Sequence, residues 1–182
     1  EMGRAKRAVH LSRYYEEAST LTQLIVGWAK TLDGGLKRLM ICSGGGHWVQ
    51  MSKLLPAFET HTVKIATVDV SARAQFPNRE FFPVPDFNRS EPLKIIKGFW
   101  GIFRIVLTSK ASHVISTGAA PGLIGLMAAK LLGKKTLWVD SIANPKMLSL
   151  SGRIAIYFVD EILTQWPALA QNSRARYQGR IV

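Results

Sequence analysis

Three consecutive glycines followed by a histidine form the segment of this chain whose residue types most clearly indicate chemistry. The segment follows a short apolar run and consists of Ser43, Gly44, Gly45, Gly46 and His47. Residues without a Cβ let the backbone approach a ligand closely, and the unpaired N–H groups at the start of a helix favour negative charge. The pattern therefore predicts a strand-to-helix turn that binds a phosphate-bearing ligand, with the imidazole beside it. A tight turn with a capping histidine is the structural alternative.

Three further groups of small or polar residues follow predicted strands. They are Gly118, Ala119, Ala120 and Gly122; then Asp140, Ser141 and Asn144; and finally Gln165 and Trp166. Parallel α/β sheets bind ligands outside the carboxyl ends of their strands, so we expect these groups and the glycine turn to line one cleft. Each group taken alone is also an ordinary loop or cap.

The elements that must position these residues alternate between strand and helix. Strands are predicted at 38–43, 62–68, 112–117, 135–140 and 160–165, and helices at 47–57, 92–109, 120–132, 151–158 and 167–173. Several of the strands are continuous apolar runs, which is typical of a sheet covered by helices on both faces. We therefore expect a doubly wound, mainly parallel α/β domain of Rossmann-like type over residues 37–182.

Residues 1–36 precede this domain and carry apolar residues at helical spacing, from Leu11 to Leu32. This pattern predicts an amphipathic helical segment. The segment either packs on its own domain or docks on a membrane surface or a partner.

The chain holds 24 Lys and Arg against 12 Asp and Glu, a formal net charge of +12. This excess favours an anionic partner, and nucleic acid, anionic lipid and a phosphorylated substrate all qualify. The predicted helix 92–109 combines a narrow basic stripe with an unusually broad apolar arc. Its predicted membrane-binding residues are Lys94, Lys97, Phe99, Trp100, Phe103 and Arg104. This combination suits a helix lying in the interface of an anionic bilayer. Burial between the sheet and the N-terminal helix is the alternative.

A single cysteine, Cys42, excludes a disulfide framework within the chain and indicates a reducing compartment. The four histidines lack the spacing of a zinc site, so we expect no structural metal. No stretch is long and apolar enough for a membrane span. We expect a peripheral or monotopic protein at the cytoplasmic face of the inner (plasma) membrane.

Four segments together resemble one known family. They read CSGGGHWVQM, VISTGAAPGLIGLMAAKLLGKKTLWVDSIA, LSLSGRIA and DEILTQWPALA, and in order and spacing they are similar to the asparagine-linked glycosylation protein 14 homologues and related bacterial exopolysaccharide and capsule subunits. The resemblance covers about residues 37–182. It implies the N-terminal, acceptor-side half of a split glycosyltransferase of the GT-B type, whose separate partner subunit binds the UDP-sugar.

The resemblance implies transfer of a sugar to a polyprenyl-diphosphate-linked saccharide, without a further cofactor. By analogy with other GT-B enzymes, His47 is the predicted general base, and Asp140 is the second catalytic candidate. The glycine turns and the residues Ser141 and Asn144 would contact substrate, and Gln165 and Trp166 would contact the partner. The sequence ends at Val182 after one such domain, so we expect activity only in a complex.

Two other classes of protein share parts of these patterns. A dinucleotide-dependent oxidoreductase would use the glycine turn, but the G-x-G-x-x-G fingerprint that begins at Gly44 fails at Val49. A nucleic-acid-binding module would account for the basic charge, although no recognition helix or aromatic stacking platform accompanies it.

Overall fold

A computed structural model describes residues 21, 23–25, 27, 37–58, 61–85 and 92–181. Within these ranges seven strands form one sheet in which every pairing is parallel. The strands are β1 (Arg38–Cys42), β2 (Val63–Thr67), β3 (Phe81–Pro83), β4 (His113–Ser116), β5 (Lys135–Val139), β6 (Glu161–Thr164) and β7 (Arg176–Tyr177).

The helices of the described ranges connect these strands and cover both faces of the sheet. They are α1 (Gly46–Leu54), which a 3-10 turn (Leu55–Phe58) extends, α2 (Ala72–Gln75), α3 (Pro92–Thr108), α4 (Ala119–Leu131), α5 (Leu150–Ala155) and α6 (Pro167–Gln171). The strand order is β3-β2-β1-β4-β5-β6-β7. The chain thus winds outward in both directions from β1 and β4, which are neighbours at the centre of the sheet.

Alternating side chains of β1 enter two separate cores, as the strand geometry requires. Met40 and Cys42 pack with α1 on one face, whereas Leu39 and Ile41 pack with α3 and α4 on the other. All five residues of β1 are buried. This burial on both faces explains why the strand reads as a continuous apolar run in the sequence.

The described N-terminal residues are helical and join the core on the α1 face. Leu21 and Ile25 are fully buried there. This part of the predicted amphipathic helix therefore packs on its own domain. Most of residues 1–36 lies outside the described ranges.

The predicted fold class is confirmed, and all five predicted strands are present with boundaries shifted by at most one residue. The predicted helices also form, although helix α5 ends three residues earlier than expected. The sequence prediction missed β3, β7 and the four-residue helix α2. The two missed strands are the short edges of the sheet and have only three and two residues.

Candidate functional site

The carboxyl ends of β1 and β4 mark the topological switch point of the sheet, and this place is called the crevice below. Helix α1 leaves β1 and helix α4 leaves β4, and both helices begin at the carboxyl edge. Neither of these two N-termini, which start after Gly45 and Gly118, receives a capping side chain from the described residues. The two helix starts thus lack side-chain caps within the described ranges, an arrangement that favours an anionic ligand.

His47 joins the two loops through a reciprocal pair of hydrogen bonds with Thr117. The Nδ1 atom of His47 lies 2.9 Å from the carbonyl oxygen of Thr117, and the Thr117 hydroxyl donates to the His47 carbonyl at 2.8 Å. Because a carbonyl only accepts, Nδ1 carries the proton in this contact. In the neutral ring the lone pair is then on Nε2, which makes no hydrogen bond to any residue in the described ranges. The ring is held in the tautomer that a general base needs.

Gly118 provides the space for this imidazole. A Cβ at Gly118 would collide with Nδ1 and Cε1 of His47, and the backbone has φ +131°, where side chains are strained. The next residue, Ala119, also has a positive φ of 64°. Two unusual conformations in succession turn the chain sharply from β4 into α4.

Gly122 serves a related purpose one turn further along α4. The Ser116 hydroxyl accepts a hydrogen bond from the Gly118 N–H at 3.0 Å. A Cβ at Gly122 would collide with this hydroxyl, so glycine lets α4 pack directly over the end of β4. The predicted second glycine turn therefore allows close packing of α4 against the end of β4. Ala120 is half-buried in the same turn.

Asp140 is a structural anchor in this arrangement. Its carboxylate is 1% exposed and accepts hydrogen bonds from Trp138 Nε1 at 2.9 Å and from the N–H and hydroxyl of Ser149 at 2.9 and 2.6 Å. A Cβ on Gly152 of α5 would collide with it. These contacts engage both oxygens with donors of the same chain, which favours a structural role for Asp140 over the predicted catalytic one. Asp140 instead fixes the loop between β5 and α5.

A buried glutamine pair links α1 to the loops that follow β5 and β6. Gln165 donates to Gln50 Oε1 at 2.6 Å and to the Asp140 carbonyl at 3.0 Å, and it accepts from the Ile181 N–H at 2.8 Å. Gln50 in turn donates to the Ser141 hydroxyl at 3.3 Å and accepts from the Ile142 N–H at 3.3 Å. The pair holds the carboxyl edge together from within.

This network corrects the prediction that Gln165 contacts a partner, because its side chain is fully buried among residues of its own chain. The sequence prediction also missed Gln50, which is 4% exposed. The sequence did offer one sign of this role: Gln50 lies three residues after His47, among the residues of a short helix that face the core. Ser141 is buried and bonded to this pair, which limits its access to a substrate.

The remaining predicted site residues lie near the same edge. Trp166 is partly exposed, its Nε1 donates to the Ile142 carbonyl at 2.8 Å, and the Arg180 guanidinium lies 4.5 Å from its ring centre. Ser43 and Asn144 are half-buried. Gly44, Gly45 and Gly46 are partly or fully exposed, so the glycine turn is open to a ligand.

Three further observations bear on the chemistry of this edge. Burial raises the pKa of the Cys42 thiol to about 12, so this thiol is not a nucleophile at neutral pH. A dinucleotide-binding domain would require an acid at the end of β2, and Asp69 occupies that position. Its Oδ1 atom accepts hydrogen bonds from the N–H and the hydroxyl of Ser71 at 3.0 and 2.6 Å. Within the described ranges no three His, Cys, Asp or Glu residues form a group able to hold a metal ion.

Helix α3 covers the other face of the sheet and leaves a ridge of large apolar side chains in solvent. Ile96, Trp100 and Leu107 are 56%, 64% and 52% exposed, and Lys97 and Arg104 flank them. The Trp100 ring lies 6.0 Å from the ring of Phe99 and 5.9 Å from that of Phe103. The side chain of Lys94 lies outside the described residues.

The ridge is not covered by the described N-terminal residues. Leu21 and Ile25 belong to the core on the α1 face of the sheet, whereas Ile102 and Val106 of α3 belong to the core on the opposite face. This separation argues against burial of α3 between the sheet and these residues. No helix in the described ranges has the length and apolar character required to cross a bilayer.

The fold and the arrangement of this edge together define a doubly wound, Rossmann-like α/β domain. A family model described as "Oligosaccharide biosynthesis protein Alg14 like" matches residues 89–181. The chain belongs to this family, and the resemblance seen in its motifs is confirmed.

Curated relatives agree with this assignment. The chain is 26% identical over 181 aligned residues to the mouse "UDP-N-acetylglucosamine transferase subunit ALG14", which covers 81% of this chain and 83% of the mouse protein. A Schizosaccharomyces pombe protein, "UDP-N-acetylglucosamine transferase subunit alg14", is 52% identical over 60 residues, 31% of this chain and 28% of that protein. The human ALG14 subunit of the same description is 32% identical over 94 residues, 48% of this chain and 44% of the human protein.

Solved structures share the fold at low sequence identity. MurG from Acinetobacter baumannii superposes with a TM-score of 0.60 at 17% identity, covering 74% of this chain and 43% of MurG. The UDP-GlcNAc 2-epimerase from Methanocaldococcus jannaschii gives 0.58 at 15% identity, covering 76% of this chain and 42% of the epimerase. The chain thus spans less than half the length of these structural neighbours.

Proposed function

We propose that this chain is the acceptor-side subunit of a two-component glycosyltransferase that acts in lipid-linked oligosaccharide or polysaccharide biosynthesis. It binds a polyprenyl-diphosphate-linked saccharide and recruits the catalytic partner that binds the UDP-sugar. The relatives are named UDP-N-acetylglucosamine transferase subunits, which supports UDP-N-acetylglucosamine as the donor.

One observation carries the proposal. The N-termini of α1 and α4 lie at the same edge of the sheet as His47, and within the described ranges neither has a capping side chain and Nε2 of His47 has no hydrogen-bond partner. Backbone N–H groups suit a diphosphate, which accepts several hydrogen bonds, and the open glycine turn lets it approach. A base and an anion cradle within one crevice are the two parts that an acceptor-binding half requires.

In the proposed reaction the acceptor hydroxyl attacks the anomeric carbon of the sugar while the bond to UDP breaks. The hydroxyl proton passes to Nε2 of His47, and UDP leaves with the bonding electron pair. The configuration at the anomeric carbon inverts. The Thr117 carbonyl stabilises the resulting imidazolium because it already accepts from Nδ1.

The test uses the tagged chain purified from native membranes together with its partner. Transfer of radiolabelled N-acetylglucosamine from UDP-N-acetylglucosamine to a polyprenyl-diphosphate acceptor is measured for wild type and His47→Gln. We expect the substitution to lower kcat by about 10²-fold or more, the usual contribution of a general base. His61→Gln, before β2 at the opposite edge of the sheet, is the matched control and should retain activity.

Two results would overturn these assignments. Full turnover by His47→Gln would remove the base role, because Gln keeps the hydrogen-bond capacity but takes up no proton. A wild-type preparation with neither transfer activity nor a nucleotide-sugar-binding companion would remove the proposed function.

The second part of the proposal is that the α3 ridge binds the membrane surface that supplies the lipid-linked acceptor. Exposed aromatic and aliphatic side chains enter the interface, and the neighbouring cations attract anionic headgroups. Each basic residue near such a surface contributes about 1 kcal/mol, or about fivefold in binding. Peripheral binding at the cytoplasmic face follows, because UDP-sugar donors are cytosolic.

Sedimentation with vesicles of phosphatidylcholine, with and without phosphatidylglycerol, tests this part. Lys97→Gln and Arg104→Gln should each weaken binding to the anionic vesicles about fivefold. Trp100→Ala should weaken binding to both kinds of vesicle. Lys53→Gln, an exposed cation on the last turn of α1 on the other face, is the control. If neither added salt nor any of the three α3 substitutions changed vesicle binding, the ridge would be excluded as the membrane-binding surface.

A further inference from the structure

Helix α5 has its small residues inside and its large apolar residues outside. Ser151, Gly152 and Ala155 are buried, whereas Leu150 and Ile154 are 48% and 45% exposed. The small inward residues are required because the helix packs closely over Asp140, where Gly152 has no room for a Cβ. Leu150 and Ile154 point outward instead, whereas a helix at the surface of a domain normally places its large apolar residues in the core.

The outward side chains line a groove and extend beyond the helix. Met147 and Tyr157, which are 59% and 87% exposed, continue the stripe before and after α5. The opposite wall is formed by Ala168 and Leu169 of α6, and the groove encloses about 880 Å³. A concave surface of this size fits an inserted helix better than it fits the flat surface of a bilayer.

The groove is rimmed by positive charge alone. Among its described lining residues are Lys146 and Arg153, both exposed, and no Asp or Glu. The contact recorded for the Arg153 guanidinium is a weak one, 3.9 Å from the Met147 sulfur. Neither cation has a carboxylate partner within the described ranges, so an occupant with acidic residues beside its apolar face would complement the rim.

The position of the groove matches the proposed division into two subunits. It lies beyond the carboxyl ends of β5 and β6, at the same edge as the His47 crevice, and α6 begins directly after the partly exposed Trp166. A subunit that covers this edge to deliver a sugar would reach the groove. We infer that the α5–α6 groove is the docking site for an acidic amphipathic helix of the catalytic partner, an inference that rests on the proposed function.

The experiment measures how much partner copurifies with the tagged chain from detergent-solubilised native membranes. Ile154→Glu and Arg153→Glu place negative charge in the groove and on its rim. Each should lower the copurified partner at least tenfold, because Ile154→Glu buries a charge against the apolar face of the occupant and Arg153→Glu replaces attraction to its acidic residues with repulsion. Leu131→Glu, at the 73% exposed C-terminal end of α4, is the matched control and should leave it unchanged. Unchanged thermal unfolding of all three variants would show that they are folded.

A photocrosslinking amino acid in place of Tyr157 identifies the occupant directly. The proposal is supported if mass spectrometry finds the crosslink on an acidic helical segment of a nucleotide-sugar-binding glycosyltransferase. It is overturned if the crosslink joins a lipid or a second copy of this chain, or if the charge substitutions leave the copurified partner unchanged. In that last case the proposed function stands and only the groove is excluded, whereas absence of any such partner from the wild-type preparation would exclude the proposed function itself.

Discussion

Substitution of Gly118 by alanine tests the link between backbone geometry and the imidazole of His47. The new Cβ would occupy the position of the imidazole edge, and the backbone φ of +131° would be strained for any side chain. We expect about 1–3 kcal/mol from the strained backbone and about 1 kcal/mol from loss of the hydrogen bond between His47 and Thr117. The free energy of unfolding should therefore fall by about 2–4 kcal/mol.

A double-mutant cycle separates the two contributions. In a His47→Ala background the ring is absent, so Gly118→Ala should cost only the backbone strain. The two substitutions should therefore be less than additive by about 1 kcal/mol or more, measured by urea unfolding at neutral pH. Transfer activity should also fall for Gly118→Ala in the intact complex, because the displaced ring no longer directs Nε2 into the crevice.

Gly133 supplies the matched control. It has a positive φ of 68°, and a Cβ there would meet no atom within 4 Å. Gly133→Ala should destabilise by strain alone and to the same extent whether or not His47 is present. If Gly118→Ala behaved like Gly133→Ala, with additivity within about 0.3 kcal/mol, the reasoning that places the imidazole against Gly118 would be refuted.

Three further outcomes follow from other buried or bonded groups. Asp140→Ala should lower the free energy of unfolding by about 3–5 kcal/mol, measured by urea titration, because it leaves several buried hydrogen-bond donors without an acceptor. Burial raises the pKa of Asp160, but hydrogen bonds from Lys130 and Thr136 outweigh it and hold that pKa below 3.8. The stability that Asp160→Asn removes should therefore be present above about pH 4 and should be lost as the pH falls further. Unfolding curves of wild type and variant from pH 7 to 3 would measure this, and a difference in unfolding free energy that stays constant with pH would contradict it. Cys42, with its pKa raised to about 12, should react with a thiol reagent at pH 8 only after unfolding, and rapid labelling of the native protein would contradict its burial.

The sequence predicted the central strands well because each is an apolar run bounded by polar or glycine residues. The two edge strands were not predicted because they lack such a run. The strand β7 contains only Arg176 and Tyr177, and the three-residue strand β3 ends in a proline. Their pairing with a neighbouring strand defines them, and pairing is a property of the folded sheet. The glycine turn and His47 could be named as candidates from the sequence because their residue types and spacing are local.

The roles of the polar residues at the carboxyl edge depended on contacts that are distant in the sequence. Gln50 and Gln165 are 115 positions apart in the sequence, and their side chains meet at 2.6 Å. Asp140 resembles a catalytic acid by residue type, whereas its carboxylate accepts hydrogen bonds from Trp138 and Ser149. Residue type and spacing alone thus determined the fold class and the family, because these depend on periodic burial and on short motifs. Only the tertiary structure decided which polar groups face a ligand and which hold the edge together, because a buried polar group must be satisfied by whatever partner the fold brings to it.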